Sequence, residues 1–153
     1  MTDDFGYSLL EILIGLMIFA MLSALVLPNV TALLDSANLH QTALQVLSDL
    51  RMQQLRAEEF QAYQEVRFAP FAPYYFLYGN SGRFEKYQPF SWPTDYYDGY
   101  LHLPNPTVRF DDLGNVSESG QIAFTDPLGG VQNIVLYLQY GDMRMTTHML
   151  LGK

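Results

Sequence analysis

Residues Tyr7–Leu27 read YSLLEILIGLMIFAMLSALVL, and this run decides the class of the molecule. It holds a single ionisable residue, Glu11. As a helix it extends about 31 Å, the thickness of a bilayer's hydrocarbon core. The run therefore predicts a membrane helix. A secretory signal peptide opens on a basic segment and closes at a small-residue cleavage site. Here the run follows Asp3 and Asp4, and no A-x-A site closes it. A buried core helix of this length and apolarity is out of proportion to a chain of 153 residues. No Lys or Arg precedes Arg51, so loop charge gives no orientation.

Glu11 is the costly residue of the run. A carboxylate near the start of a membrane helix must reach the headgroups, stay neutral or find a partner. In the plain reading it sits in the first turn, where the helix dipole favours it. In the functional reading it awaits a positive charge.

Moving outward toward the C-terminus, Pro28 closes the all-apolar run and an amphipathic pattern begins. Leu39, Ala43, Val46, Leu47, Leu50 and Ala57 recur at helical steps, with Gln41, Gln45, Asp49, Gln53 and Gln54 set on the other side. A proline inside a helix removes one hydrogen bond and bends the axis. The pattern predicts one long helix from about Ser8 to Phe60, kinked or locally melted at Pro28, whose second half lays its apolar face on a sheet. The stripe is short for a coiled coil.

From Tyr63 the period changes to that of strands. Tyr63–Phe68 alternates Tyr63, Glu65 and Arg67 against Gln64, Val66 and Phe68, and Tyr74–Tyr78 follows. Gly79-Asn80-Ser81-Gly82 signals a turn. Thr107–Phe110 and Gln121–Phe124 flank the loop Asp111–Asn115. Asn133–Tyr140 and Met143–Leu150 flank Gly141-Asp142, which predicts a tight hairpin. Prolines between Pro70 and Pro106 predict a long irregular excursion near Pro89–Asp98.

Composition bounds the rest. The chain is 49% hydrophobic, enough for a core beside an anchor, and it has no cysteine, which excludes disulfides, thiol catalysis and cysteine-bound zinc. The net charge is −8 with a pI near 4.6, a poor default for nucleic acid. All 8 basic residues lie from Arg51 onward, against 11 acids in the same stretch, so the head carries only −3.

The segment Gly6-Tyr7-Ser8-Leu9-Leu10-Glu11 resembles the prepilin peptidase site of type IV pilins and pseudopilins. In that family the peptidase cuts after the glycine, and the new N-terminal residue, usually phenylalanine, is methylated. A glutamate is the fifth residue of the mature chain, and a proline is commonly the twenty-second. Counted from Tyr7, Glu11 is fifth and Pro28 is twenty-second. The sequence departs from the pattern in having Tyr7 for phenylalanine and a leader, MTDDFG, without Lys or Arg.

The resemblance implies a pilin-like α+β fold, a long N-terminal helix packed on an antiparallel sheet or sandwich. Its parts would be a leader (1–6), a transmembrane and filament-core helix (7–28), an amphipathic helix (29–60) and a β-rich head (61–153). It implies cleavage between Gly6 and Tyr7, methylation of the Tyr7 amine, and pairing of Glu11 with a neighbouring subunit's amine to set register. The implied partners are the prepilin peptidase and methyltransferase, other pilins or pseudopilins, an inner-membrane assembly platform and the lipid bilayer. The implied place is the bacterial cytoplasmic membrane, with the C-terminal head outside the cytoplasm, and then a pilus or pseudopilus. The run Asp49–Phe60, the segment Val108-Arg-Phe-Asp-Asp-Leu-Gly-Asn and the closing Tyr140-Gly-Asp-Met-Arg hairpin resemble H-type minor pseudopilins of type II secretion. T-type minor pilins and competence minor pseudopilins look similar. A minor pilin or pseudopilin is the function expected, with a tip subunit contacting DNA or glycans as the alternative. A membrane-anchored domain that is never cleaved is the third reading.

The remaining chemistry is sparse. His40, His102 and His148 lack metal-ligand spacing, and no nucleophile elbow, phosphate loop or HExxH occurs, so neither an enzyme nor a cofactor is expected. Asp111, Asp112, Asn115, Ser117 and Glu118 are oxygen-rich, and some major pseudopilins hold calcium with such a loop. The calcium-loop spacing is absent, and a turn with solvated acids is the reading preferred. Tyr74, Tyr75, Phe76, Tyr78, Phe90, Trp92, Tyr96, Tyr97 and Tyr100 divide between core and surface by strand alternation. Those left outside serve a subunit interface or a stacking surface for sugar, protein or single-stranded DNA. Arg83, Lys86, Trp92, Arg109 and Arg144 are the candidate ligand-contacting residues, and the four basic ones make a DNA patch if the fold brings them together. The glycosylation sequons Asn29-Val-Thr31 and Asn115-Val-Ser117 carry little information.

Overall fold

The computed structural model describes residues 9–70, 72–80, 82–96, 106–138 and 141–147, the side chains of 25–29 excepted. Gly6, Tyr7, Tyr97, Tyr100, His102 and His148 lie outside the described residues, as do the side chains of Pro28 and Asn29. Among the described residues one helix, α1 (Leu9–Phe60), precedes eight strands. They are β1 (Gln64–Phe68), β2 (Tyr74–Gly79), β3 (Arg83–Pro89), β4 (Asp95–Tyr96), β5 (Thr107–Phe110), β6 (Gly120–Thr125), β7 (Val131–Leu136) and β8 (Met143–Thr146). The architecture is α+β, a long helix and two four-stranded antiparallel sheets. Contacts divide the chain into two units, Met1–Leu34 and Asp35–Lys153. The helix residues from Asp35 onward fall in the same unit as the strands.

In the first unit the helix exposes a run of apolar side chains, with Glu11 the one charged residue among the described ones. Leu9, Leu10, Ile12, Leu13, Ile14, Leu16, Met17, Ile18, Phe19, Met21 and Leu22 are all exposed, Leu9 to 80%. The helical backbone continues through position 28, so the local melting expected at Pro28 does not occur. The loss of one backbone hydrogen bond is local, and the ladder on either side carries the helix across it. Among the described residues no helix is long and apolar enough to cross a membrane.

In the second unit the predicted stripe is realised. Leu39, Ala43, Val46, Leu47, Leu50 and Ala57 are buried and join one core cluster with Val66, Phe68, Tyr75, Phe110, Phe124 and Ile134 from both sheets. The polar side is less simple than the pattern suggested. Gln53 is fully buried, and among the described residues neither end of its amide has a hydrogen-bond partner. Gln54 reaches the Gly114 carbonyl at 3.0 Å, and Asp49 accepts a hydrogen bond from the buried Tyr75 hydroxyl. The helix's "solvent" side is thus its second line of contact with the head.

The first sheet runs β3-β2-β1-β5 and the second β4-β6-β7-β8. Strand β3 falls in a stretch, RFEKYQP, that shows no clean alternation. The reason is a bulge: Leu77 pairs with Lys86 and Tyr78 with Phe84, leaving Glu85 as the extra residue. The turn before it is as expected, with Asn80 and Gly82 at positive φ. The excursion predicted near Pro89–Asp98 contains the short strand β4, which pairs with β6 and so gives the second sheet its edge. Thr107–Phe110 and Gln121–Phe124 are strands as read, but they enter different sheets: the Asp111–Asn115 loop turns the chain back through an antiparallel bridge between Phe110 and Val116, and the chain then crosses to β6. The closing hairpin is described in its strands, while Gln139 and Tyr140 of its connection and residues 148–150 lie outside the described residues. Its strands end at Leu136 and resume at Met143, with Tyr137 N–H bonded to Asp142 O at 3.1 Å.

Candidate functional site

Strand alternation sorts the aromatics of the first sheet. On β2, Tyr75 and Leu77 point into the core while Tyr74, Phe76 and Tyr78 lie half-buried on the outer face. Across the ladder Phe76 pairs with Tyr87 and Tyr78 with Phe84, both exposed. Phe84 and Tyr87 are an odd number apart in sequence and would face opposite ways in a regular strand. The Glu85 bulge restores them to one side, where Phe76 touches both, at centroid separations of 6.2 Å and 5.8 Å. Tyr74 stands 5.4 Å from Phe76 and 5.2 Å from Tyr87, and Tyr78 stands 5.8 Å from Phe84. Five rings form one patch.

The neighbouring strands supply charge to the same face. Glu65 on β1 pairs with Tyr78 across the ladder and with Arg109 on β5, and Arg67 pairs with Phe76 and Thr107. The Glu65 side chain is 4% exposed and is held by Arg67, Nε to Oε1 at 3.0 Å and Nη2 to Oε2 at 3.1 Å. Arg109 closes on the same carboxylate at 3.5 Å. The Arg67 guanidinium lies 4.4 Å from the Tyr78 ring centre, and that of Arg109 lies 5.4 Å from Tyr63's. The hydrogen bonds to Glu65 hold Arg67 above its ordinary pKa, with burial opposing them. Beyond the two arginines a cleft of about 340 Å³ opens between Pro106–Thr107 and Ser117–Glu118. One Glu118 carboxylate oxygen there is shielded from solvent and has no hydrogen-bond partner among the described residues.

The residues read from sequence do not assemble as a group. Glu11 is exposed in the first turn of α1. Arg83 and Lys86 lie on β3, at the edge of the sheet opposite Arg109 on β5. Three strand spacings, roughly 14 Å, separate those edges. Arg144 sits in the other sheet, bonded to Asp142 at 3.0 Å, and Trp92 is 83% exposed in the turn after β3, its carbonyl held by Asn38. The basic patch is therefore not formed. Arg67, Glu65 and the β3 rings are what the sequence reading missed. The alternation of Tyr63–Phe68 already placed Glu65 and Arg67 on one face, but nothing local named β5 as their neighbour.

The acidic loop is an internally bonded turn. Asp111 Oδ1 accepts from the Leu113 and Asn115 N–H groups at 3.0 and 2.8 Å, and Oδ2 accepts from the Asn115 amide at 3.1 Å. Desolvation raises the Asp111 pKa, but these hydrogen bonds outweigh it and hold the carboxyl below its usual range. Among the described residues no group of three or more acidic or histidine side chains is arranged to hold a metal ion.

No family model matches the chain, and neither a curated protein nor a solved structure is significantly similar to it.

Proposed function

We propose that this protein is a minor pilin or pseudopilin, a structural subunit of a type IV filament system. The observation that carries the reading is the exposed apolar helix. Between Leu9 and Leu22 the large apolar side chains Leu9, Leu10, Ile12, Leu13, Ile14, Leu16, Met17, Ile18, Phe19, Met21 and Leu22 are exposed, beside the one carboxylate of Glu11. A helix of that kind needs lipid or other helices around it. The spacing of Gly6, Tyr7, Glu11 and Pro28 supports a subunit that is given both in turn. Before assembly the run from Tyr7 to Leu27 lies in the membrane, and afterwards it packs with its equals in the filament core. Cleavage after Gly6 frees an amine on Tyr7, and methylation leaves it positively charged. Glu11 pairs with that amine on a neighbour. In a low-dielectric core such a pair attracts strongly, while either charge alone is heavily penalised, so subunits settle at the register that joins them. The head from Asp35 onward then lies at the filament's surface or tip.

The test is intact-mass and N-terminal analysis of the protein made with and without a prepilin peptidase. A mature chain beginning at methylated Tyr7, seen only with the peptidase, is expected. A persistent Met1 or Thr2 start, with the enzyme active on a control substrate, leaves an uncleaved membrane-anchored domain and removes the filament reading.

A further inference from the structure

The outer face of the first sheet carries two features that a merely covered surface does not need. One is the patch of five rings, with Phe84 54% and Tyr87 48% exposed. The other is the Arg67–Glu65–Arg109 network beside it, in which Arg67 hydrogen-bonds both oxygens of the buried carboxylate and Arg109 pairs with it at 3.5 Å. We propose that this face binds an extended, uncharged polysaccharide chain. The inference rests on the head alone and is independent of the leader and the helix.

Three observations favour that occupant. Rings along β2 follow one another at centroid separations of 5.4 and 6.4 Å, steps comparable to a sugar ring, and present apolar surface to its C–H faces. The polar groups at the border are held rigid, so a hydroxyl meets donors and acceptors without the entropy cost of ordering them. The local charge is balanced: Arg67 and Arg109 face Glu65 and Glu118 around the cleft, so no positive surplus is left for phosphates. A strand from another copy is also poorly served at this sheet's edge. Strand β3 carries Arg83, Lys86 and Pro89, and charges and proline blunt edge pairing.

Binding of chitohexaose and cellohexaose to the full chain tests the proposal, measured in a detergent without a sugar headgroup. We expect binding that is insensitive to salt, with Phe84→Ala and Tyr87→Ala each weakening it about fivefold to tenfold. Both side chains are exposed, and circular dichroism checks that the variants fold. Saturation transfer from aromatic protons to the bound sugar in the wild type gives a reading that needs no variant. No saccharide binding overturns the proposal, as does saccharide binding that survives both substitutions or shows no aromatic transfer. Oligothymidine binding that fades with salt, in place of sugar binding, assigns the face to nucleic acid. Loss of filament incorporation in the double variant, with no saccharide bound to wild type, assigns it to a neighbouring subunit. None of these outcomes alters the N-terminal processing that tests the filament reading.

Discussion

Tyr75 shows how a single buried hydroxyl ties helix to sheet. Its ring is fully buried against Phe68 and Phe90, while its O–H reaches the Asp49 carboxylate on α1. Burial raises its pKa most, and the hydrogen bond to Asp49 and that residue's charge raise it further. The phenol therefore titrates above the ordinary value of 10.0. A group whose folded pKa is raised contributes stability that is complete below the unfolded pKa and is lost as pH climbs beyond it. Tyr75→Phe is expected to cost about 1 to 2 kcal/mol at neutral pH. Above pH 10 the wild type should lose stability more steeply than the variant, as followed by urea unfolding across pH. Equal slopes would show that the folded protein does not raise the Tyr75 phenol at all, by burial or by Asp49. Gln53, one helical turn from Asp49, is the converse case. The sequence marked it as polar surface, but the fold surrounds it because α1 is contacted on more than one side.

At the scale of the element, α1 separates by face. Leu50 is fully buried among residues of both sheets, whereas Leu55, five positions on, is 60% exposed. Leu50→Ala should cost about 2 to 5 kcal/mol through lost burial and the cavity left behind. Leu55→Ala should stay within about 0.5 kcal/mol, since it touches no such feature. Thermal unfolding of the two variants checks the assignment, and comparable losses would refute it. The stripe was legible because helical period survives in the order of residues. Strand β3 was not, because a bulge shifts the alternation by one residue and hides the strand from any period-two reading.

For the whole molecule, the division at Leu34–Asp35 means that the two ends of α1 answer to different surroundings. Glu11→Ala should leave the head's unfolding midpoint unchanged, because the residue belongs to the other unit and is not among the residues of the core cluster, and sites that share no partners act independently. Incorporation into filaments should nevertheless fall sharply, as read by the fraction of processed subunit that sediments with filaments. Normal incorporation would remove the register role proposed for Glu11.

The sequence by itself determined what depends on near neighbours along the chain. The apolar run and its lone glutamate, the stripe Leu39–Ala57, the strands at β1, β2, β5 and β6 and the turn around Asn80 are all written in local period and turn chemistry. Tertiary structure alone decided which strands share a sheet. It separated Arg83 and Lys86 from Arg109, sent β5 and β6 to different sheets, and joined Arg67 and Arg109 on one buried carboxylate. Strand pairing is set by contacts between residues far apart in the chain, and a pattern of near neighbours carries no record of them.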